Sequence, residues 1–132
     1  MILASEDIGL ADPGALSLAV SAGQTVELIG MPEDRIPLAE ATIYLALAPK
    51  SNRAYVAINE ALADLEASEL KPIPPQLRSS GGVGYKYPHD DPRGVLKQDY
   101  ADLGKRYYEP SNHGYEKTLS ERLKQIDEIL GK

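Results

Sequence analysis

The sequence has no cysteine, tryptophan or phenylalanine among its 132 residues. Without cysteine the chain cannot form disulfide bonds or thiolate metal sites, as is typical of a reducing, intracellular setting. Without Phe and Trp, core packing is left to Leu, Ile, Val, Ala and the eight tyrosines. Hydrophobic residues still make up 42% of the chain, which predicts a folded domain rather than a disordered segment.

Long apolar runs and targeting signals are also lacking. No stretch approaches the roughly 20 apolar residues that span a bilayer, so no membrane contact is predicted. The first residues, MILASEDIGLADP, have no basic region and too short an apolar start for a signal peptide. The length is that of one typical domain, and we expect a single soluble domain.

The net charge of −6 is unevenly distributed. Residues 1–67 contain ten acids and three bases, residues 68–114 six acids and seven bases, and residues 115–132 four of each. Because affinity for nucleic acid depends on Lys and Arg, the acidic first half is a poor surface for DNA. The candidate contacts with nucleic acid or a partner lie in the middle segment and are Lys86, Arg93, Lys97, Lys105 and Arg106.

Helical periodicity predicts four helices, at about 13–29, 38–48, 52–67 and 114–130. Asp12 and Pro13 form a strong start signal, because Asp caps a helix and Pro fits its first turn. Gly30 followed by Pro32 marks the end of that helix. Ser51 stands in a capping position before the third helix.

The second of these helices, LAEATIYLALA, is apolar on nearly every face. Only Glu40 and Thr42 interrupt it, so the helix is either central to the domain or covered by another subunit. The candidate oligomer-interface residues are Ile43, Tyr44 and Leu47.

Residues 68–113 are predicted to be irregular. The segment 68–114 holds six of the ten prolines, six of the eleven glycines and five of the eight tyrosines. Chain of this composition typically wraps over a helical body and uses tyrosine rings as anchors. KRYYEP at 105–110 is a candidate short strand. The predicted fold class is therefore mainly α, with a long Pro/Gly/Tyr-rich irregular wrap.

The segment GYKYPHDDP at 84–92 carries the side chains that active sites use. His89, Asp90 and Asp91 are candidate metal ligands or an acid/base pair. A metal site usually needs three protein ligands, and the other histidine of the chain lies in a separate turn. The alternative is a rigid turn between two prolines, in which an aspartate accepts hydrogen bonds from backbone N–H groups. We favour this shaped turn, docked on the helical body or on a neighbouring subunit.

Nucleotide-binding and nucleophile motifs are absent from the sequence. The nearest match to a phosphate-binding loop, at 81–86, lacks the Ser or Thr after its lysine and a preceding apolar strand. There is no GxSxG elbow. Tyr107 and Tyr108 either stack on nucleic-acid bases or pack within the protein, and packing is favoured. The residues indicate an assembly module rather than an enzyme, with no catalytic residue, cofactor or metal in this chain.

Four segments carry a family resemblance that covers nearly the whole chain in order. They are ASEDIGLADPGAL (4–16), PLAEATIYLALAPKSNRAY (37–55), GYKYPHD (84–90) and RYYEP (106–110). They closely resemble the C-terminal region of the RarA/MgsA family of replication-associated recombination ATPases, whose human relative is the Werner-helicase-interacting ATPase.

The resemblance implies a helical, collar-like domain of the clamp-loader type that assembles the protein into a homotetramer. It implies AAA+ ATPase and lid domains that bind ATP and Mg²⁺ and precede this region, so the chain is expected to be an isolated C-terminal fragment. It also implies action in DNA replication, recombination and repair at stalled forks, with DNA and single-stranded-DNA-binding protein as partners. The implied location is cytoplasmic, in association with the bacterial nucleoid.

By this reading residues 1–132 form one C-terminal oligomerisation domain. The alternative is a module that contacts DNA or single-stranded-DNA-binding protein through the basic residues of 78–106. The chain departs from the family at 79–83 and 101–104, where family members carry longer stretches, the first of them basic. Either these are true deletions, or residues are missing from the chain and the DNA-facing charge of this section is understated.

Overall fold

The computed structural model describes residues 1–67, 72–78, 84–98, 100 and 105–132. Its four α-helices are α1 (Gly14–Ile29), α2 (Arg35–Leu47), α3 (Arg53–Glu66) and α4 (Glu116–Leu130). They confirm the mainly α fold class. The described residues contain no β-strand, and the candidate strand at 105–110 is wrong, because side-chain contacts rather than a backbone ladder hold this segment.

A helical segment that the periodicity did not predict precedes α1. It consists of a π-helical turn, Ala4–Ile8, and a 3₁₀ turn, Gly9–Ala11. The first and last residues of the π-helical turn are both buried. The backbone N–H of Ser51 donates to the carbonyl of Asp7 at 2.7 Å, which fastens this segment to the loop between α2 and α3.

The ends of α1 are set by local signals. Asp12 Oδ1 accepts a hydrogen bond from the N–H of Gly14 at 3.0 Å, as expected of a side chain that caps a helix. Gly30 closes the helix with a positive φ of 66°, and its N–H donates to the carbonyl of Val26. Helix α1 then packs chiefly against α2.

Helix α2 begins earlier than predicted, at Arg35. Pro37 lies in its first turn, where backbone N–H groups have no partner within the helix, so proline does not mark the start. At the other end, Lys50 Nζ donates to the carbonyls of Leu45 (2.9 Å), Ala46 (3.3 Å) and Ala48. This lysine therefore satisfies the free carbonyl groups at the C-terminus of α2.

The buried hydrophobic core is small. It consists of Ala4, Ile8, Ala11, Ala15, Ala22 and Ala41. Contrary to the expectation from composition, no leucine or tyrosine among the described residues is buried. Alanine lets helices approach closely but removes little apolar area from water, so most large apolar side chains remain at least partly exposed.

Glu116, the first residue of α4, joins three parts of the chain. Its side chain is fully buried, and its carboxylate accepts hydrogen bonds from Ser51 Oγ (2.7 Å), Tyr108 OH (3.0 Å) and the N–H of Ser111 (2.8 Å). Ser51 Oγ also accepts from the N–H of Arg53 at 3.3 Å, so it satisfies a free donor at the start of α3. The polar atoms of this buried cluster thus bond to one another.

The cluster shifts the pKa values of its members. Burial raises the pKa of Glu116, but the hydrogen bonds from Ser111, Ser51 and Tyr108 lower it by more, and the net pKa is below the ordinary value. Burial, together with the bond to Glu116, raises the pKa of Tyr108 to about 12. Glu116 is therefore an ionised acceptor and Tyr108 a neutral donor at neutral pH.

A close approach at Gly114 fixes the turn before α4. The N–H of Tyr115 donates to the carbonyl of Ala11 at 2.8 Å, and His113 Nδ1 lies 2.7 Å from the carbonyl oxygen of Lys50. Gly114 has a φ of +51°, and a Cβ atom there would lie 2.1 Å from the carbonyl oxygen of Ala11 and 2.6 Å from Pro49 Cγ. Only glycine fits at this position.

We expect Glu116→Gln to lower the free energy of unfolding by about 3 kcal/mol at pH 7, because an amide cannot accept all the hydrogen bonds that the carboxylate accepts. The folded pKa lies below the unfolded value of about 4.3. The stabilisation is therefore complete above that value and is lost as the pH falls through the folded pKa. Urea unfolding from pH 7 to pH 3 should show the gap between the two proteins closing in acid.

The matched control is Glu121→Gln, on the exposed face of the same helix, which should change stability by less than about 0.5 kcal/mol. A gap for Glu116→Gln that stays constant down to pH 3 would contradict the assigned role of the carboxylate.

We also expect Gly114→Ala to destabilise the fold by more than about 3 kcal/mol, because it combines a strained backbone with a steric overlap. Gly94→Ala is the control, since Gly94 has a φ of +66° but no atom within 4 Å of the added Cβ. Its cost should be about 1 kcal/mol. Equal melting temperatures for the two variants would argue against the overlap.

Candidate assembly surface

The three interface residues predicted on α2 lie together around one groove. Ile43, Tyr44 and Leu47 line it with Ala48 and Pro49, and its volume is about 550 Å³. The lining is completed by two acids, Asp12 and Glu40. Among the described residues that line it there is no base.

The side chains of this groove are poorly covered by the rest of the chain. Leu47 is 80% exposed and Ile43 is 60% exposed. Only Ala41 of α2 is buried, so the helix is not central to the domain. Scattered apolar side chains are normal on a protein surface, and adjacent ones that form a groove make it a candidate site of interaction.

Tyr44 is held at the groove by Asp12. A hydrogen bond to the Asp12 carboxylate, with some desolvation, raises the pKa of the Tyr44 hydroxyl. Asp12 thus serves two purposes, since it also accepts from the N–H of Gly14. The sequence indicated only the capping role of Asp12, because no sequence pattern relates Asp12 to the distant Tyr44.

A second apolar groove, of about 490 Å³, lies between the N-terminal segment and α3. Its lining consists of Met1, Ile2, Ser5, Glu6, Ala54, Tyr55 and Ile58. Among its larger side chains, Met1 is 65% exposed, Ile2 78% and Ile58 55%. A standard interface covers about 800 Å² of each partner.

Two of the five predicted basic contacts fasten the irregular segment to the helices. Lys105 Nζ lies 2.8 Å from Asp64 Oδ2 on α3, and it also stands 4.9 Å from the centroid of the Tyr107 ring. Hydrogen bonds from Lys105 and Tyr107 lower the pKa of Asp64. Arg106 forms an ion pair with Asp127 of α4.

A third base, Arg93, is bound within its own turn. Its guanidinium donates to both carboxylate oxygens of Asp91, at 2.9 and 2.8 Å. These bonds, with a bond from the backbone of Arg93, lower the pKa of Asp91 to about 2. Lys86 and Lys97 are exposed. Carboxylates therefore neutralise three of the five bases, and the role of the five in contacts with nucleic acid or a partner stays a prediction.

The segment GYKYPHDDP is a shaped turn, as predicted. Pro88–Asp90 is a 3₁₀ turn, and the N–H of Arg93 donates to Asp91 Oδ1 at 2.8 Å. The rings of Tyr87 and His89 lie 5.0 Å apart. Among the described residues, no three histidine or carboxylate side chains are close enough to bind a metal ion. Within the described residues, the hydrogen bonds of this turn connect residues of 84–100 with one another. Its docking on the helical body or on a neighbouring subunit therefore stays a prediction.

The favoured packing role of the tyrosine pair is confirmed. Tyr107 OH donates to Asp64 Oδ2 at 2.8 Å, and Tyr108 OH donates to Glu116. Both hydroxyls are used within the fold. Sequence reasoning missed Glu116 itself. The available signal was an acid in the first turn of a helix, which does not distinguish a buried acceptor from a solvated charge.

The described residues at the nearest match to a phosphate-binding loop do not fit ATP. The nearest match to a phosphate-binding loop ends at Lys86, whose backbone N–H already donates to Gln98 Oε1 at 3.0 Å. Residues 79–83, where the glycines of that match stand, lie outside the described residues. Within the described part of the chain, no helix combines the length and hydrophobicity that crossing a bilayer requires.

The fold and its grooves define a helical domain whose apolar surface is only partly covered by its own chain. Comparison with known protein families identifies the family to which the domain belongs. A family model described as the C-terminal domain of the MgsA AAA+ ATPases matches residues 1–127. The chain belongs to this family, which confirms the resemblance seen in its sequence.

Named relatives agree with this placement. An uncharacterised AAA domain-containing protein of Mycobacterium tuberculosis is 46% identical over all of this chain and 32% of its own length. Replication-associated recombination protein A of Bacillus subtilis is 41% identical over all of this chain and 34% of its own. The ATPase WRNIP1 of Dictyostelium discoideum is 40% identical over 66% of this chain and 11% of its own.

The chain thus spans about a third of the length of the first two relatives. Both alignments cover 144 positions, more than the 132 residues of this chain, so each relative carries additional residues within the matched region. This agrees with an internal shortening of the chain. The predicted positions of that shortening, 79–83 and 101–104, lie outside the described residues.

The neutralised bases predict weak binding to DNA. We expect a dissociation constant above about 10⁻⁴ M for single-stranded and duplex DNA at 150 mM salt, because the chain is acidic overall. Fluorescence anisotropy from 50 to 200 mM salt is the measurement, with Lys86→Glu/Lys97→Glu as the control. Micromolar binding that weakens steeply with salt, and that the control abolishes, would instead favour the DNA-contact function.

Proposed function

We propose that this chain is the tetramerisation module of a AAA+ ATPase that acts in replication-associated recombination. The observation that carries the proposal is the apolar groove of α2, where Ile43, Tyr44 and Leu47 are left uncovered by the chain itself. Relatives named as replication-associated recombination protein A support the biological setting.

The energetics favour an interface larger than this groove alone. Fully burying an Ile or Leu side chain is worth roughly 1.5–3 kcal/mol, while association costs about 4–15 kcal/mol in lost freedom. Ile43 and Leu47 of one copy would together contribute about 3–6 kcal/mol, which reaches only the low end of that cost. A standard interface covers about 800 Å² of each partner, so further exposed apolar side chains would have to take part.

In the longer protein, ATP and Mg²⁺ would bind the AAA+ domain, and this chain would not itself be an enzyme. Its contribution is to hold several ATPase domains in a fixed arrangement. Contacts of the whole protein with DNA and single-stranded-DNA-binding protein at stalled forks, and a cytoplasmic, nucleoid-associated location, belong to the same proposal.

The alternative, a contact module for DNA or single-stranded-DNA-binding protein, is less well supported. It relies on the bases of 78–106, and three of these, Arg93, Lys105 and Arg106, are engaged by carboxylates within the fold. An interaction with a protein partner would have to displace these pairs or use the exposed bases Arg78, Lys86 and Lys97.

We expect the chain to have four times its mass of 14.3 kDa in solution, and Leu47→Asp to reduce it to the monomer, because a charge in the groove cannot be desolvated. Light scattering on a size-exclusion column, over a range of concentrations, measures the mass. Circular dichroism verifies that the variant is folded, and Ile43→Ser is a milder substitute if it is not.

Leu28→Asp is the matched control. Leu28 is 85% exposed and lies, like Leu47, in the last turn of its helix, but it does not line the groove. It should leave the mass unchanged. A wild-type chain that is monomeric at all concentrations, or a folded Leu47→Asp variant that stays tetrameric, would refute the proposal.

A further inference from the structure

Helix α3 carries a row of exposed apolar side chains along one side. This row, the α3 stripe, consists of Tyr55, Ile58, Leu62 and Leu65, and each member is between 45% and 55% exposed. Their spacing of three, four and three residues keeps them on one face of the helix. Such spacing is the pattern by which one helix packs against another, so a second helix suits the stripe.

The N-terminal segment lies beside the first half of the stripe and runs antiparallel to α3. Asp7 accepts a backbone hydrogen bond from Ser51, just before α3, and a Cβ atom on Gly9 would lie 2.9 Å from the carbonyl oxygen of Ser51. The first two residues of the chain share the second apolar groove with Tyr55 and Ile58, further along α3. Going back from Gly9 to the first residue therefore leads towards the C-terminus of α3.

Helix α1 gives the same direction. Ile8 and Ala15, near the start of α1, belong to one buried cluster. A Cβ atom on Gly23, two turns further along α1, would lie 3.6 Å from Met1 Cε. Chain that continued upstream of Met1 would therefore pass along the second halves of α1 and α3, where the last two residues of the stripe are exposed.

The backbone of the N-terminal segment is already helical at its start. Ile2 and Leu3 are helical, and Leu3 has a φ of −52° and a ψ of −40°. The first N–H groups of a helix have no carbonyl partner within it, and Ala4 in this turn is buried. Upstream residues in helical form would supply those carbonyls, so the local structure favours continuation as a helix.

Longer members of the family have chain at this position. The matching family model describes a C-terminal domain, and only 32% of the Mycobacterium tuberculosis relative lies within the matched region. Most of that protein therefore precedes the matched region.

We propose that, in a longer protein of this kind, the residues directly upstream of Met1 continue the N-terminal segment as a helix that runs antiparallel to α3 and covers Leu62 and Leu65. The inference rests on the family and on the path of the chain, and it is independent of the proposed tetramerisation. Its consequence is that a rigid helix packed on α1 and α3, rather than a flexible linker, joins this domain to the preceding AAA+ part.

The helix that this contact requires is short. Leu65 lies seven residues beyond Ile58 in α3, which is roughly 10 Å at the rise of an α-helix. About two to three turns of upstream helix reach as far, and apolar side chains every three or four residues would face the stripe.

The stability of an extended chain tests the contact. About twenty residues that precede the matched region in the Mycobacterium tuberculosis relative, or in the Bacillus subtilis relative, are fused to Met1 and form roughly 30 Å of helix. We expect the melting temperature to rise by about 5–10 °C, since two leucines become buried. An extension of the same composition in scrambled order should give no rise.

Leu62→Asp should remove this rise in melting temperature, because a charge in the stripe cannot be desolvated. Ala63→Asp is the matched control, since Ala63 is exposed and adjacent to Leu62 but lies outside the stripe, and it should keep the rise. No rise with either natural extension, or a rise that persists in Leu62→Asp, would overturn the inference.

A disulfide scan identifies what covers the stripe. The chain has no cysteine, so introduced pairs have no background. In the extended chain, Leu65→Cys is combined with a cysteine at one of four consecutive positions, about six to nine residues before Met1. We expect one of these pairs to form a disulfide, because the packed helices bring their Cα atoms within about 7 Å. Glu60→Cys, exposed on the opposite side of α3, should form none.

Non-reducing denaturing gels separate the outcomes. A disulfide within one chain runs at the mass of a monomer, whether or not the protein assembles. A linked dimer would show that a second copy covers the stripe and would overturn the inference, as would the absence of any disulfide to Leu65→Cys. A monomeric wild-type chain, by contrast, would refute only the proposed function.

Discussion

The carboxylate of Glu116 joins parts of the chain that lie far apart in sequence. A buried charge is costly unless it is fully hydrogen-bonded, so the arrangement is favourable only when Ser51, Tyr108 and Ser111 are all in place. That requirement sets the start of α3, the irregular segment and the turn before α4 relative to one another. The close approach at Gly114 then brings the N-terminal segment to the same point.

This polar cluster stands beside a small apolar core. The buried hydrophobic residues are mostly alanines, which define helix distances but contribute little burial of apolar area. The larger side chains of α2 and α3 are consequently directed to the surface, where a monomer gains little from them. The small core leaves many of the large apolar side chains exposed, as the proposed assembly requires.

Local signals in the sequence predicted the helices well, because the signals act within a few residues. Asp12 and Gly30 mark the two ends of α1, because Asp12 accepts a hydrogen bond from a backbone N–H of its first turn and Gly30 adopts a positive φ. The N-terminal segment escaped prediction because a π-helical turn lacks the 3.6-residue period. The start of α2 was placed too late because proline is compatible with any position of a first turn. Glu116 was not recognised, since its partners come from separate segments and no short pattern relates them. The three α2 residues were predicted to lie at an interface because an apolar helix in a small domain exceeds what one chain can cover; they line an exposed groove, and their role in assembly stays a prediction.

The distribution of charge connects the fold with assembly. The acidic residues belong mainly to the helical body, and the irregular segment carries half of the chain's bases. Within one copy, Lys105 and Arg106 form ion pairs with aspartates of α3 and α4, and these pairs attach the segment to the two helices. The turn that carries Lys86 is held by its own hydrogen bonds and remains exposed. Ion pairs with the helices therefore fasten one end of the irregular segment, and hydrogen bonds within the turn shape the other.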